Sequence, residues 1–297
     1  MKQIVVLSGK GGTGKTSITA AFADLAENKV LADVDVDASN LELVLAPTQL
    51  EENIFMGGKL AIIDHDACIH CNLCEEACRF DAITQHPEDD YIVDEIACDG
   101  CVACVYVCPT DAIHMEPQHA GWWYRSDTEQ GPLLHAQLRP AQENSGRLVT
   151  LVKQQARLHA LDHEQDYVLV DGPPGIGCPV ISAASGADLA VIVVEPTVAG
   201  VHDLDRALDT VTHFHVPATV IVNKADINPD KVAEIQAFCN DKGLELVGEI
   251  PFNTAVTYAM VQGQPVTKFA PESDVSQAMT NAWLKVKELA DALPDKN

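Results

Sequence analysis

Eight of the ten cysteines in this 297-residue chain occur in two copies of one spacing. Each copy has the form C-x2-C-x2-C-x3-C, and the two sets are Cys68, Cys71, Cys74 and Cys78, then Cys98, Cys101, Cys104 and Cys108. The amino-terminal apolar run, residues 4–7, is short and ends in a glycine loop, unlike a cleavable signal. We therefore expect a cytoplasmic protein whose reduced thiols bind metal and do not form disulfides.

The cysteine spacing resembles that of bacterial ferredoxins, in which the fourth cysteine of each run ligates the other cluster. This resemblance implies two [4Fe–4S] clusters, held by Cys68, Cys71, Cys74 and Cys108 and by Cys98, Cys101, Cys104 and Cys78. Tetrahedral zinc is the alternative, and it usually pairs two C-x2-C units at a distance. Three cysteines at successive two-residue gaps, found twice, favour iron–sulfur.

The two runs belong to an internal repeat with an offset of 30 residues, since 64–68 matches 94–98 and 80–83 matches 110–113. A duplicated unit of this size resembles a two-cluster ferredoxin fold and is too small for a large core, so the clusters must hold it together. One difference separates the copies. Pro109 follows Cys108, but Arg79 follows Cys78, and a nearby cation predicts a higher potential for the second cluster.

The net charge of −25 argues against a nucleic-acid partner and against an anionic membrane surface. Thirteen acidic residues and one basic residue, Arg79, lie between Leu60 and Pro117. They predict either a solvated acidic surface or a docking face for a basic partner. The longest apolar stretches, such as 189–194, are far shorter than the roughly 20 residues of a membrane helix.

Apolar strand patterns and helical patterns alternate on either side of the cysteine segment. Strands are predicted at 4–7, 30–34, 167–170, 189–194 and 219–222, and helices at 16–27, 204–214, 229–242 and 275–293. The pattern is typical of an α/β fold with a mostly parallel, doubly wound sheet. We therefore predict an α/β domain from 1–59 and 118–297, with 60–117 as an inserted α+β ferredoxin-like domain in a surface loop.

A glycine-rich phosphate loop follows the first predicted strand. Residues 9–16 satisfy G-x4-G-K-[ST] between a strand and a helix, so backbone N–H groups and a helix N-terminus can face phosphates. Lys15 is expected to reach the β- and γ-phosphates, and Thr16 to ligate Mg²⁺. The predicted ATP or ADP contacts are Gly11, Gly12, Thr13, Gly14, Lys15, Thr16 and Ser17.

A second lysine, Lys10, precedes the glycines in the sequence GKGG. This arrangement resembles the deviant Walker-A ATPases, the group that includes MinD, ParA, Mrp and the nitrogenase iron protein. In that family the lysine crosses the dimer interface, so the resemblance implies a homodimer with ATP between the subunits and hydrolysis that depends on dimerisation. A solvated loop lysine is the alternative.

The same resemblance extends to two switch regions. Residues 33–41 resemble switch I, where Asp35 is expected to position Mg²⁺ and the attacking water, with Asp33 and Asp37 as alternatives. Asp171, in the sequence DGPPG, resembles the switch II aspartate that faces the metal through water. Lys10, Lys15, Asp35 and Asp171 are therefore the predicted catalytic residues.

Further motifs resemble the base-binding side of the family. Asn223 and Lys224 begin NKAD, similar to the NKxD motif, and Asn223 is expected to touch adenine. Pro251 lies in EIPFN, which resembles the adenine-side loop. The inserted cluster segment and residues 143–146 resemble the MinD-superfamily ATPases that carry an inserted ferredoxin domain.

Two functional classes follow. The first is an ATP-gated switch that controls electron transfer to a redox partner, and full enclosure of each cluster by four cysteines favours it. The second is a carrier or assembly factor for iron–sulfur or other metal cofactors, as the Mrp-like body suggests. A Min-type spatial organiser is disfavoured because the last predicted helix is not basic and ends near Asp291 and Asp295. The insertion closely follows switch I, which predicts that the switch repositions it.

Two cysteines lie outside the runs. Cys178 follows Asp171 by seven residues, where the nitrogenase iron protein holds a cluster between its subunits. No second cysteine is an obvious partner, so both an interface or buried thiol and a bridging metal ligand remain open. Cys239 is expected to pack in the core.

Overall fold

The computed structural model describes residues 1–86, 90–140, 142 and 144–294. The chain divides into two compact units. The first comprises Met1–Asn53, Trp123–Gln137 and Ser145–Asn297, and the second comprises Ile54–Trp122 and Leu138–Asn144. The second unit therefore begins before residue 60 and ends after residue 117, the borders predicted from sequence. Glu143 and Asp295, which the sequence motifs included, lie outside the described residues.

The strands follow the sequence in this order: β1 Lys2–Ser8, β2 Lys29–Asp33, β3 Thr48–Ile63, β4 Ile83–Gln85, β5 Tyr91–Val93, β6 Ile113–Thr128, β7 Gly131–Leu138, β8 Tyr167–Pro174, β9 Leu189–Val194, β10 Ala218–Asn223 and β11 Glu245–Ile250. The helices are α1 Lys15–Leu25, α2 Leu41–Leu45, α3 Leu73–Ala77, α4 Ala103–Val107, α5 Ser145–Asp162, α6 Cys178–Ala184, α7 Gly200–His213, α8 Pro229–Lys242, α9 Ala255–Val261, α10 Val266–Phe269 and α11 Asp274–Ala292. A short 3₁₀ turn, Ala225–Ile227, precedes α8.

One sheet has the strand order β11-β10-β9-β1-β8-β2-β7-β6-β3. The pairs of β1 with β8 and β9, of β2 with β7 and β8, and of β10 with β9 and β11 are all parallel. Strands β1 and β9 are buried along their whole length, as expected where helices cover both faces of a parallel sheet. The predicted α/β fold with a mostly parallel sheet is confirmed.

The core of the first unit lies between the sheet and its helices. Helix α1 contributes Phe22, whose ring centroid lies 5.2 Å from that of Trp283 on α11. Both side chains are buried, and Leu31 and Leu169 from the neighbouring strands β2 and β8 belong to the same apolar cluster. This packing fixes α1 against the strand ends, where the phosphate loop lies. None of the helices in the described ranges is long and apolar enough to cross a membrane.

The second unit is built from two similar halves. Helices α3 and α4 have five residues each, and each follows a residue with a left-handed backbone, Asn72 (φ 66°) and Val102 (φ 71°). Strands β4 and β5 pair antiparallel. A small core joins Ala61, Ile63, Ile83, Tyr91 and Ile113 to the buried Cys74 and Cys104. The local repetition of structure follows the 30-residue repeat of the sequence.

Several elements were not predicted from the sequence. Strands β3, β6 and β7 were missed because their residues do not alternate cleanly; β6, for example, contains Pro117 and Gly121. Helix α5 was also missed, although its buried Leu148, Val152 and Ala156 recur at helical spacing. Where elements were predicted, the observed ends differ by a few residues, as for α1 and α7.

Helix α6, which follows β8, is fastened at its carboxyl end by a buried lysine. The Lys153 ammonium of α5 donates hydrogen bonds to the carbonyl oxygens of Ser182 (2.7 Å), Ala183 (2.6 Å) and Ser185 (2.6 Å). These carbonyl groups end the helix and have no intrahelical donors of their own. The positive charge there also complements the helix dipole.

Replacing this lysine tests how firmly α6 is held. Lys153→Met keeps most of the aliphatic stem but removes the donor, and we expect the free energy of unfolding to fall by about 3 kcal/mol, because buried carbonyl groups lose charged partners. Urea unfolding measures the change. Lys285→Met on the exposed face of α11 is the control and is expected to change it by less than about 0.5 kcal/mol. Equal effects of both substitutions would contradict the assignment.

Candidate nucleotide and cluster sites

The phosphate loop, residues 9–14, connects β1 to α1 at the edge where the parallel strands end. Gly12 and Gly14 have φ values of 78° and 90°, which side-chain-bearing residues rarely adopt. A Cβ atom on Gly14 would also lie 2.3 Å from the amide nitrogen of Asn223. The loop conformation thus depends on glycine, as the sequence motif predicts, and it leaves Lys15 as the first residue of α1.

Asp171 on β8 joins the phosphate loop to the sheet. The Thr16 hydroxyl donates to its Oδ2 (2.7 Å) and the Thr19 hydroxyl to its Oδ1 (3.0 Å). Burial, aided by the charge of Asp33, raises the pKa of Asp171 to about 7. Burial likewise lowers the pKa of Lys15, in spite of nearby carboxylates. A hydroxyl oxygen and a carboxylate placed side by side are oxygen ligands of the kind that Mg²⁺ prefers.

The structure separates the three aspartates that the switch I motif left open. Asp33 is fully buried, and its Oδ2 accepts hydrogen bonds from the Ser39 hydroxyl (2.7 Å) and the Leu41 N–H (2.9 Å). It therefore holds the loop and the start of α2. Asp37 is exposed. Asp35 is half-buried, between Asp33 and Asp37 in exposure. Burial and the charge of the neighbouring Asp33 raise its pKa to about 6.

Lys10 is held by residues of its own chain. Its ammonium lies 3.3 Å from Oε2 of Glu195 and 3.4 Å from the Thr197 hydroxyl. Glu195 also pairs with Lys224. Burial opposes ionisation of Glu195, but hydrogen bonds and charge from Lys224 and Lys10 hold its pKa below the usual value. Glu195 and Thr197, which follow β9, were missed by sequence reasoning; their signal is their position at a strand end beside the phosphate loop.

The NKAD segment supports the phosphate loop. The Asn223 side chain donates to the carbonyl oxygen of Thr13 (2.8 Å) and accepts from the Lys224 N–H (3.0 Å). Asp226 accepts a hydrogen bond from the Phe252 N–H (2.6 Å), next to the half-buried Pro251. Sequence reasoning expected Asn223 to touch adenine, whereas here both ends of its amide bind protein backbone. The segment therefore links the phosphate loop to the chain after β11.

The eight clustered cysteines line two cavities in the second unit. In both cavities three cysteines come from one run and the fourth from the other run. The first cavity is lined by Cys68, Cys71, Cys74 and Cys108. The second is lined by Cys98, Cys101, Cys104 and Cys78. The remaining lining residues are mostly apolar, among them Ile63 and Tyr91 in the first and Ala61 and Met115 in the second.

The two exchanged cysteines have matching backbone donors. The Ala82 N–H points to Sγ of Cys78 and the Ala112 N–H to Sγ of Cys108, both at 3.3 Å. Although burial opposes it, hydrogen bonds from Thr110 and following residues lower the pKa of the Cys108 thiol. Donors of this kind favour the thiolate, which is the form that binds metal.

Four thiols around a cavity suit a cluster of several metal atoms. Within the described ranges, no three histidine, cysteine, aspartate or glutamate side chains converge as the ligands of a metal ion. A [4Fe–4S] cluster takes four cysteine ligands, so the donor set of each cavity fits that group.

The two remaining cysteines differ in accessibility. Cys178 is exposed at the first position of α6, and Cys239 is buried in α8. The sequence left open that the Cys178 thiol is buried, but in the single chain Cys178 is exposed. Burial of Cys239 agrees with core packing and raises its pKa to about 11.

The fold and the phosphate loop together define a P-loop nucleotide-binding α/β protein. Residues 4–266 match the family described as the CobQ/CobB/MinD/ParA nucleotide binding domain, and the chain belongs to this family of P-loop ATPases.

Three comparisons describe its similarities. An uncharacterized protein of Methanocaldococcus jannaschii is 37% identical over 76% of this chain and 79% of its own length. An iron-sulfur cluster carrier protein of Aquifex aeolicus is 30% identical, over 38% of this chain and 34% of its own. The structure of the septum site-determining protein MinD with Mg-ADP from Pyrococcus horikoshii superimposes with a TM-score of 0.58 at 20% identity, covering 97% of both chains. The last similarity concerns the fold alone.

The raised pKa of Asp35 predicts the effect of neutralising it. Above about pH 6 its carboxylate is destabilised by burial and by Asp33, so Asp35→Asn should raise the thermal midpoint of the nucleotide-free, Mg²⁺-free protein. Screening by solvent limits the gain to about 1 kcal/mol, or about 2–4 °C. As the pH falls below 6 the wild-type carboxyl becomes protonated in the folded protein, so the difference should decrease, and it should vanish below about pH 3.8, where the unfolded chain is protonated as well.

Thermal unfolding at pH 7.5 and pH 5 measures this, and the difference between Asp35→Asn and the wild type should be smaller at pH 5. Asp37→Asn, which alters the exposed neighbouring carboxylate, is the control and should leave the midpoint within about 1 °C at both values. A lower midpoint for Asp35→Asn at pH 7.5 would show that the carboxylate is stabilised by contacts that outweigh its burial.

Proposed function

We propose that the protein is a cytoplasmic, Mg²⁺-dependent ATPase whose nucleotide state controls two [4Fe–4S] clusters that pass electrons to a protein partner. The observation that carries this proposal is the pair of cavities, each lined by four cysteines with the fourth exchanged between runs. They occur in a chain of the MinD/ParA P-loop ATPase family. In this proposal residues 60–117 are an inserted ferredoxin-like domain of the ATPase.

At the nucleotide site, each named side chain has a role that its position supports. Lys15 and the glycine loop bind the β- and γ-phosphates, and Thr16 ligates Mg²⁺. Asp171, already hydrogen-bonded to Thr16, holds the metal through water. Asp35 orients the attacking water, because it has few protein donors and a pKa near neutrality.

We further propose that two copies of the chain enclose the nucleotide. Lys10 would exchange its contact with Glu195 for the phosphates of the partner's ATP, where a cation from a second subunit can accelerate phosphoryl transfer by roughly 10³–10⁵. Charge favours a basic protein partner over nucleic acid or an anionic membrane, since the chain has a net charge of −25.

At the cluster site, the four thiolates of each cavity would hold one cluster, and the clusters supply one-electron transfer. Four cysteine ligands and a mostly apolar lining would keep each cluster in place, which suits a redox role. The two sites differ by Arg79, next to Cys78, and its positive charge would raise the potential of the second cluster above that of the first.

A cofactor carrier is the second candidate. The observation that favours it is the similarity, over 38% of the chain, to an iron-sulfur cluster carrier protein of Aquifex aeolicus. A carrier needs ligands that an acceptor can reach, and Cys71 and Cys101 are exposed. Under this hypothesis ATP would promote release of a cluster and not its reduction.

The exchange of the fourth cysteine predicts which double variants lose iron. Cys78→Ser should remove the second cluster and halve the iron per chain, because Cys78 lies with Cys98, Cys101 and Cys104. Adding Cys98→Ser should remove no more iron, since both residues serve one site. Adding Cys74→Ser should remove almost all of it, although Cys74 belongs to the same run as Cys78.

Iron analysis and electron paramagnetic resonance of the anaerobically purified protein measure these losses, with Cys239→Ala, in the core of the first unit, as a control that keeps full iron content. If the Cys74/Cys78 double variant retained half of the iron, each run would hold its own cluster and the exchange would be wrong.

Electron transfer and cluster delivery are separated by following iron and reduction together. The reduced holoprotein is incubated with an apo-ferredoxin acceptor, or with a redox dye, in the presence of ATP or ADP. We expect faster oxidation of the clusters with ATP and no iron in the acceptor. Lys15→Ala, which removes the phosphate contact, should abolish the difference between nucleotides. Iron that moves to the acceptor on ATP addition would favour the carrier instead.

A further inference from the structure

A buried histidine in the first unit connects three elements that the nucleotide site does not use. His135 on β7 is 5% exposed, and its Nε2 lies 2.9 Å from the hydroxyl of Ser126 on β6. Its Nδ1 lies 3.1 Å from Oε2 of Glu42 on α2. The ring stacks on Tyr124, also on β6, with centroids 5.0 Å apart and planes at 29°.

The protonation state sets the direction of these hydrogen bonds. Burial lowers the pKa of His135 to about 4, so the ring is neutral at physiological pH and carries one N–H. The Glu42 carboxylate can only accept, so the proton is on Nδ1 and the Ser126 hydroxyl donates to Nε2. Ser126, His135 and Glu42 thus form one continuous chain, here called the His135 relay.

The relay has the order of a hydrolase triad but cannot act as one. A nucleophilic serine must reach its substrate, and Ser126 is 1% exposed. Its hydroxyl is enclosed between strands. The contribution of the relay is therefore the connection it makes among α2, β6 and β7.

The Glu42 end of the relay directly follows residues 33–41, the segment that resembles switch I. The buried Asp33 carboxylate accepts the N–H of Leu41, the first residue of α2, and Glu42 is the next residue. Asp33 is also the register partner of Asp171 on β8. One hydrogen bond and one peptide unit therefore connect the Asp33 carboxylate to Glu42.

The other ends of the relay lie on the chain segments that lead to the cysteines. Helix α2 continues within three residues into β3, which ends five residues before Cys68. Strand β6 begins five residues after Cys108 and carries Ser126 near its end. Ser126 therefore lies on the segment by which the chain leaves the cysteine repeat, and Glu42 lies on the helix that leads into the segment by which the chain enters it.

We propose that His135 is a positioning residue that transmits the nucleotide state from switch I, through Glu42, to β6 and so to the segments flanking the cysteine repeat. This inference rests on the proposed coupling between ATP and the clusters. It assigns the coupling to one hydrogen-bonded path with two arrangements: with the path intact, a shift of α2 moves β6, and without it α2 and β6 move independently.

The test uses the holoprotein and two variants. Glu42→Ala removes the half-buried end of the relay, and His135→Leu removes its centre. Glu51→Ala is the matched control. Glu51, on β3, forms an ion pair with Arg125 on β6, the strand that carries Ser126, but it is not part of the relay. Hydrogen exchange of β6 amides and the cluster potentials are measured with ADP and with a non-hydrolysable ATP analogue. The thermal shift produced by the analogue reports folding and nucleotide binding.

We expect the wild type and Glu51→Ala to show a difference between the two nucleotides in both measurements. Glu42→Ala and His135→Leu should lose that difference while the thermal shift from the analogue is retained. If both relay variants keep the nucleotide-dependent exchange and potentials, the relay is not the path, and the proposed function stands. If the wild-type clusters do not respond to nucleotide, the proposed coupling itself fails, and the inference fails with it.

Discussion

Two carboxylates, Asp33 and Asp171, face each other in register on the parallel strands β2 and β8, and both are almost completely buried. Burying two negative charges side by side is unfavourable unless hydrogen bonds and cations compensate. Asp33 obtains its compensation from the switch I backbone, whereas Asp171 depends on Thr16, Thr19 and the ammonium of Lys15. The phosphate loop and the segments that follow β2 and β8 are therefore coupled by one electrostatic constraint, and a divalent cation would relieve it.

Other buried or half-buried polar groups of the first unit are likewise compensated by hydrogen bonds or ion pairs. Asn223 supports the phosphate loop from behind, Glu195 joins Lys10 to Lys224, and Lys153 holds the far end of α6. The contacts of Asn223 and Glu195 join strand-end loops, and the contact of Lys153 joins α5 to the end of α6. Such groups are strongly stabilising when all are satisfied and costly when one partner moves.

The sequence was most informative where chemistry restricts residue type. The phosphate loop requires glycine at positive φ, and the cysteine runs require thiols, so both could be located from spacing alone. The α/β fold was predicted from buried β-branched strands such as β9. The relay of Glu42, His135 and Ser126 could not be predicted, because these residues share no motif and lie far apart in the sequence. Glu42 is 93 residues from His135 and 84 residues from Ser126. Only the pairing of β6 and β7 and the turn into α2 bring them together.

Because each cavity takes cysteines from both runs, a group bound in either cavity would join the two halves of the second unit. Each cavity needs a thiol from the other run, and the first and last cysteines of the repeat, Cys68 and Cys108, line the same cavity. The apolar core beside them is small, so a bound group would close a loop of about 40 residues and supply much of the folding free energy. Strands β3 and β6 enter and leave this loop; Glu42 lies on α2, which leads into β3, and Ser126 lies on β6, so the hydrogen bonds of His135 join the two sides of the loop within the first unit.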